Sequence, residues 1–428
     1  MNLYIDPGTG SMLFTILIGA LSAGIYLLRS AFSRLRFFTT GGAKAGKREK
    51  KQISVAIFTD SKRYWNLFEP ICDEFEKRRE HISYFTASPD DPALQKKYEY
   101  VTCEFIGEGN RAYASMNHLK ADVLLSSTPG VDVYQWKRSK GVGRYVHVLH
   151  APSDAAMYRM FGLDYYDAVL LSGEYQKAQI RELEQKRGLP EKELILTGLP
   201  SLDSLQARLE QSPPLPEHPT TVLLAPSWGS SSLFGRFGGD IIAALCKTGY
   251  DIIVRPHPQS FVSEKELMEK LMQEYPENEH LSWNRDNDNF EVLRRSDIMI
   301  SDFSGVIFEY ALIFGKPVIY GDTEYDKSPY DACWLDDELW TFTTLPKIGK
   351  PLTEDDLGDL KALIDNVLQD SSFREALKTA RDETWAVRGA SVTRIADYII
   401  DSIKKDSEQP DEDPTPENQQ TSPETTSA

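Results

Sequence analysis

A chain of 428 residues, 41% of them hydrophobic, carries enough apolar side chain for two or three folded domains, which excludes a disordered or fibrous protein. Its formal net charge of −17 argues against a nucleic-acid partner. The four cysteines, Cys72, Cys103, Cys246 and Cys333, lie far apart, which excludes a zinc spacing or a disulfide framework and predicts reduced core thiols.

In chain order, the first feature is Met12 to Leu28, an uncharged and mostly apolar run of 17 residues. At about 1.5 Å per residue such a helix is at the short limit for a ~30 Å hydrocarbon core, so the run predicts a transmembrane helix, with a hydrophobic helix lying on the bilayer as the alternative. Asp6 precedes it, whereas Arg29, Arg34, Arg36, Lys44, Lys47, Arg48, Lys50 and Lys51 follow, opposed only by Glu49. That order is the reverse of a secretory signal. It predicts a single-pass protein of the cell membrane, with residues 1–51 as anchor and basic linker and the remainder on the cytoplasmic side.

From Ile53 apolar strands alternate with amphipathic helices, the pattern of a parallel α/β architecture. The expected strands are Ile53–Phe58, Ile82–Phe85, Ala121–Leu125, Tyr145–Leu149, Ala168–Leu171 and Leu194–Leu196, with helices such as Tyr64–Arg78 and Glu174–Arg187 between them. They predict a Rossmann-like domain over 52–211. Residues 212–219, SPPLPEHP, hold four prolines in eight positions and form the expected linker. A second such domain is expected over 220–405, with strands Thr221–Ala225, Tyr250–Val254, Ile298–Ile300 and Pro317–Tyr320 and terminal helices after Pro351. Residues 406–428 carry seven carboxylates and almost no apolar side chain, which predicts a disordered acidic tail.

Two α/β domains leave a cleft between them, and ligands of open parallel sheets sit at the carboxyl ends of the strands. Three strand ends carry chemistry there. After Ile298–Ile300 comes Ser301-Asp302-Phe303-Ser304-Gly305, a turn into a helix whose first backbone N–H groups lack internal partners and suit a phosphate. After Tyr250–Val254 comes Arg255-Pro256-His257-Pro258, in which two prolines hold one imidazole in place. After Tyr145–Leu149 comes His150. His is a proton carrier near neutral pH and a phosphate donor. His147, on the same strand, reads as structural. Neither the turn-like 88–92 nor the loop 286–289 reads as a metal site.

The ordered motifs Leu196-Thr197-Gly198-Leu199-Pro200-Ser201-Leu202-Asp203, Leu224-Ala225-Pro226-Ser227-Trp228, Arg255-Pro256-His257-Pro258 and Ser301-Asp302-Phe303-Ser304-Gly305 resemble the CDP-glycerol glycerophosphotransferase family of teichoic-acid primases and polymerases. The resemblance covers about residues 140 to 400 and implies a two-domain GT-B fold. It implies transfer of glycerol phosphate from CDP-glycerol to a hydroxyl of a membrane-linked acceptor, releasing CMP, with no metal or other cofactor. His150 matches the family's first-domain histidine and would be the base, although Ala151 stands where the family usually has glycine. His257 would hold the diphosphate and assist the departing CMP. Arg255, Ser301, Asp302, Ser304 and Gly305 would lie beneath the donor phosphates, and Ser227 and Trp228 would face the nucleotide. The alternatives are a transferase using a nucleotide sugar on the same fold, and a membrane-tethered assembly protein without catalysis.

Overall fold

The computed structural model describes residues 53–286, 288–322 and 325–408. The anchor and basic linker expected over 1–51, and the acidic tail beyond Glu408, lie outside them. Among the described residues no helix is long and apolar enough to cross a membrane.

The alternation of apolar strands and helices builds two parallel sheets. The first contains β1 (Ile53–Thr59), β2 (Ile82–Thr86), β3 (Val101–Phe105), β4 (Lys120–Ser126), β5 (Gly141–Val148), β6 (Ala168–Leu171) and β7 (Glu193–Leu196), in the order β3-β2-β1-β4-β5-β6-β7. The second contains β8 (Thr221–Ala225), β9 (Asp251–Val254), β10 (Leu281–Trp283), β11 (Ile298–Ser301), β12 (Val318–Gly321) and β13 (Gly349–Leu352), in the order β10-β9-β8-β11-β12-β13. Every ladder in both sheets is parallel, so all carboxyl ends in a sheet share one rim. The central strands are buried throughout, as in Val222, Leu223 and Leu224 of β8 and Ile298, Met299 and Ile300 of β11. That is why they read as unbroken apolar runs.

Residues 212–220 carry neither helix nor strand and join the halves. The chain then crosses back. After the helices Leu360–Gln369 and Phe373–Thr384, residues 385–390 return to the first half. There the helix Ser391–Glu408 buries Ile395, Ala396 and Ile399 in the core formed by Phe68, Ile71, Phe75 and Leu202. The final helix, counted by sequence with residues 220–405 as a terminal helix able to pack back across both domains, packs on the first.

The returning chain docks on the Gly198–Asp203 motif. Gly198 has φ +81°, and a Cβ there would lie 2.3 Å from the Val387 carbonyl oxygen, so only glycine admits the crossing chain. Asp203 accepts hydrogen bonds from Trp385 Nε1 at 2.9 Å and from the backbone N–H groups of Gly389 and Ser391 at 2.8 and 3.1 Å.

Two buried carboxylates tie the halves elsewhere. Asp154 accepts from the backbone N–H groups of Trp340 and Thr341 at 2.8 and 2.9 Å. Asp331 accepts from the N–H of Phe161 at 2.7 Å and pairs with Arg187, which also pairs with Asp164 at 2.7 Å. Cys72 is a core thiol as expected, but Cys246 and Cys333 are exposed. Both sit on elements with a solvent face, the end of the helix Asp240–Cys246 and the short turn Asp331–Trp334.

Candidate active site

The rims of the two sheets face a common cavity of about 740 Å³, a size suited to a nucleotide-bearing ligand. From the first half it is lined by Asp60, Arg63, Tyr64, His150 and Tyr158, and from the second by Trp228, Arg255, His257, Ser304, Gly305 and Glu309. The two histidines therefore bracket one space.

His257 is held on three sides by its own loop. Pro256 and Pro258 restrict the backbone, and its N–H donates to the Pro226 carbonyl at 3.1 Å, joining it to the β8 loop. The backbone N–H of Gln259 donates to His257 Nδ1 at 3.1 Å. A backbone N–H can only donate, so Nδ1 accepts and the ring proton is on Nε2, which leaves His257 a donor while neutral.

His150 emerges two residues past the end of β5. Its Nδ1 lies 3.1 Å from the Tyr158 hydroxyl, and its ring packs edge-on to Tyr64 with centroids 4.9 Å apart. Burial, then the Arg63 charge, then His257 lower its pKa to about 4. Burial, Arg63 and Arg255 lower that of His257 to about 4 as well. Both rings are neutral at pH 7, one able to accept a proton and the other to donate one. For stability the sign is fixed: an imidazole with a depressed folded-state pKa binds more protons unfolded, so stability falls as pH drops from about 6.5 toward 4. The denaturation midpoint should decrease across that window. A smaller decrease is expected in His150→Gln, and identical pH dependence of the two proteins would refute the assignment.

The two polar residues of the β11 turn that face protein rather than cavity correct the sequence expectation. Ser301 is buried and its hydroxyl donates to the Ala225 carbonyl at 2.6 Å. Asp302 is buried and accepts from the backbone N–H groups of Ser227, Leu233 and Ser304 at 3.0, 3.1 and 3.3 Å. Burial raises its carboxyl pKa against those hydrogen bonds. Ser227 is buried as well and donates its N–H to Asp302, so of the Ser227-Trp228 pair only Trp228 reaches the cavity. These three residues fix the loops that carry Ser304, Gly305 and Trp228. The short polar side chains of Ser301 and Asp302 both find backbone partners at the end of β8 and on its loop, which the motif spacing alone does not tell.

Arg255 lines the cavity while its guanidinium is braced by Asn284 and by the Asp286 carbonyl, the latter at 2.9 Å. Burial lowers its pKa. Several cavity residues went unread in the sequence, Arg63 and Glu309 among them. Arg63 follows β1 and acts electrostatically on both histidines. Its signal was a cation at the first βα turn, the place where Rossmann-like sheets bind anions. Glu309 lies five residues after Ser304 on the same helix; Asn289 Nδ2 donates to it at 3.1 Å, and burial raises its pKa. Among the described residues no group of three or more His, Cys, Asp or Glu side chains is disposed to hold a metal.

The helix after Ser304 runs as α-helix over Gly305–Glu309 and as π-helix over Tyr310–Phe314. Its first residue touches the other half: a Cβ on Gly305 would lie 2.9 Å from Ala151 Cβ. Gly305→Ala should therefore push the rims apart, raising the donor KM several-fold in steady-state assays. The Ala151→Gly, Gly305→Ala double variant should recover most of the loss, and failure to recover would refute a steric cause.

Two parallel α/β halves around one cleft give a GT-B-like fold. Residues 162–335 match the family described as CDP-Glycerol:Poly(glycerophosphate) glycerophosphotransferase, the family that the sequence motifs resemble. Among solved structures it is similar to the wall teichoic acid polymerase TagF soaked with CDPG, at 16% identity and TM-score 0.56, covering 92% of this chain and 99% of that one. The UDP-GlcNAc 2-epimerase of Methanocaldococcus jannaschii, bound to UDP-GlcNAc and UDP, is 14% identical with TM-score 0.52, covering 82% and 99%. That of Rickettsia bellii is 12% identical with TM-score 0.52, covering 83% and 98%. At such identities these likenesses concern the fold. The comparison with curated proteins returned no match.

Proposed function

We propose that the protein transfers glycerol phosphate, or a similar polyol phosphate, from CDP-glycerol to a hydroxyl of a membrane-linked acceptor and releases CMP. The observation that carries this reading is the single cavity bracketed by His150 and His257, with the Ser304–Gly305 helix start between them. The acceptor oxygen bonds to the glycerol-bearing phosphorus, its proton passes to His150 Nε2, and the bond from that phosphorus to the CMP oxygen breaks. His257 Nε2–H, Arg255 and Arg63 stabilise the charge gathering on the departing phosphate. Phosphoryl transfer asks for little more than such positioning and charge stabilisation. In this reading Glu309 and Trp228, both on the cavity wall, serve the nucleoside, Glu309 as acceptor for ribose hydroxyls and Trp228 against the base.

The apolar run 12–28 and the basic residues after it support tethering to the cytoplasmic face of the cell membrane, where a lipid-linked acceptor would be presented. Incubating the purified protein with CDP-glycerol and with UDP- and GDP-sugars tests the reading. CMP release from CDP-glycerol alone is expected; UDP or GDP release would overturn it in favour of a nucleotide-sugar transferase.

A further inference from the structure

Tyr158 bridges two histidines. Its hydroxyl lies 3.1 Å from His150 Nδ1 and 3.0 Å from His147 Nε2, making a chain His150–Tyr158–His147 that runs from the cavity wall into the core. We propose that Tyr158 and His147 are positioning residues that keep the His150 proton on Nδ1, so that Nε2 offers its lone pair to the acceptor hydroxyl. The inference rests on the reading of His150 as the base.

A phenol has one proton, which leaves the chain two self-consistent directions. If Tyr158 donates to His147 Nε2, its oxygen accepts from His150 Nδ1–H, and His150 Nε2 is the base. If His147 Nε2–H donates to Tyr158, then Tyr158 donates to His150 Nδ1, and the His150 proton faces the cavity, where it blocks base catalysis. Both directions are open to a neutral His147, the state in which full burial holds it, its pKa well below the ordinary value; only the first leaves the His150 Nε2 lone pair facing the cavity. The ring is clamped edge-on between Tyr158 and Tyr166, with centroids at 5.2 and 4.8 Å. Its Nδ1 has no hydrogen-bond partner among the described residues. In the first direction that atom carries the His147 proton without a partner, a cost that the arrangement bears. Burial also pushes the Tyr158 phenol well above its ordinary pKa, so it remains a hydroxyl.

The chain matters most when His150 becomes imidazolium. As the acceptor oxygen bonds to phosphorus and its proton reaches Nε2, the Nδ1–H bond to Tyr158 strengthens and stabilises the new charge. The other titratable groups around His150 are Asp60, Arg63 and Tyr64 on the loop after β1 and His257 across the cavity. None of them is hydrogen-bonded to Nδ1, so Tyr158 sets the tautomer.

The test uses the full chain labelled with 15N-histidine, with the His150 signals identified by their loss in His150→Ala. NMR of the wild type should report His150 protonated on Nδ1 and His147 neutral; His150 protonated on Nε2 overturns the proposal. Tyr158→Phe should shift the His150 proton toward Nε2 and lower kcat by about 10- to 100-fold with an unchanged donor KM, the range of a lost proton-transfer contribution. It should also move the acid limb of the kcat/KM profile to lower pH, because the imidazolium loses its acceptor. Wild-type kcat and an unmoved acid limb in Tyr158→Phe would refute the chain. His147→Gln, whose amide oxygen still accepts from Tyr158, should retain more kcat than His147→Leu; equal loss in both counts against the proposal. Full activity in His150→Ala would instead remove the base reading itself, a result distinct from every outcome at Tyr158.

Discussion

His150→Ala should lower kcat/KM for CDP-glycerol by about 10³-fold, within the span of a removed general base, while CDP-glycerol Kd stays within a few-fold of wild type. The separation of the two effects follows from the ring's place. His150 comes from the first half, whereas the helix start at Ser304, Arg255 and His257 come from the second. His257→Ala should behave differently, weakening donor binding as well as kcat, because a neutral Nε2–H donor beside the diphosphate acts in both the ground state and the transition state. Isothermal titration with CDP-glycerol, run beside steady-state assays, distinguishes the two. If both variants lose binding equally and kcat hardly changes, His150 is a donor-binding residue and not the base.

The second large effect is on stability. Arg187 is nearly fully buried and pairs with Asp164 and Asp331, of which Asp331 also receives the Phe161 N–H. Removing one member of such a group leaves uncompensated buried charge, and Arg187→Ala should cost about 3 to 5 kcal/mol in a urea titration. Because Asp331 comes from the second half and Arg187 and Asp164 from the first, the loss should reach the cavity as well as the core. Arg187→Ala is expected to raise the donor KM, and replacing all three residues with apolar ones of similar volume should recover stability without recovering KM. A urea midpoint unchanged in Arg187→Ala would remove the network from any role in joining the halves.

The central strands were plain in the sequence because both their faces are covered. Val222 to Leu224 and Ile298 to Ile300 have no solvent side, so no polar residue interrupts them. The three strands that composition hid, β3, β10 and β13, all lie at sheet edges. There Thr102 and Glu104 face outward in β3, and Lys350 and Pro351 do so in β13. At the site, motif order placed the right loops on the rim but did not separate residues that face the cavity from those that brace it. Ser304 and Asp302 are two positions apart, yet one lines the cavity and the other is enclosed by backbone N–H groups. Arg63 and Glu309 went unread because each is an ordinary charged residue on a short helix, and only the meeting of the halves puts both on one cavity.

The return of the last helix to the first half has a consequence during synthesis. Ile395, Ala396 and Ile399 complete the core around Phe68 and Ile71, and Trp385 hangs on Asp203. The ribosome must therefore translate through both halves and on to Ile399 before the first half can close its core. Until then that half presents an open apolar groove, and a nonsense change anywhere before Ser391 would leave it permanently unsealed, however intact the residues that precede it.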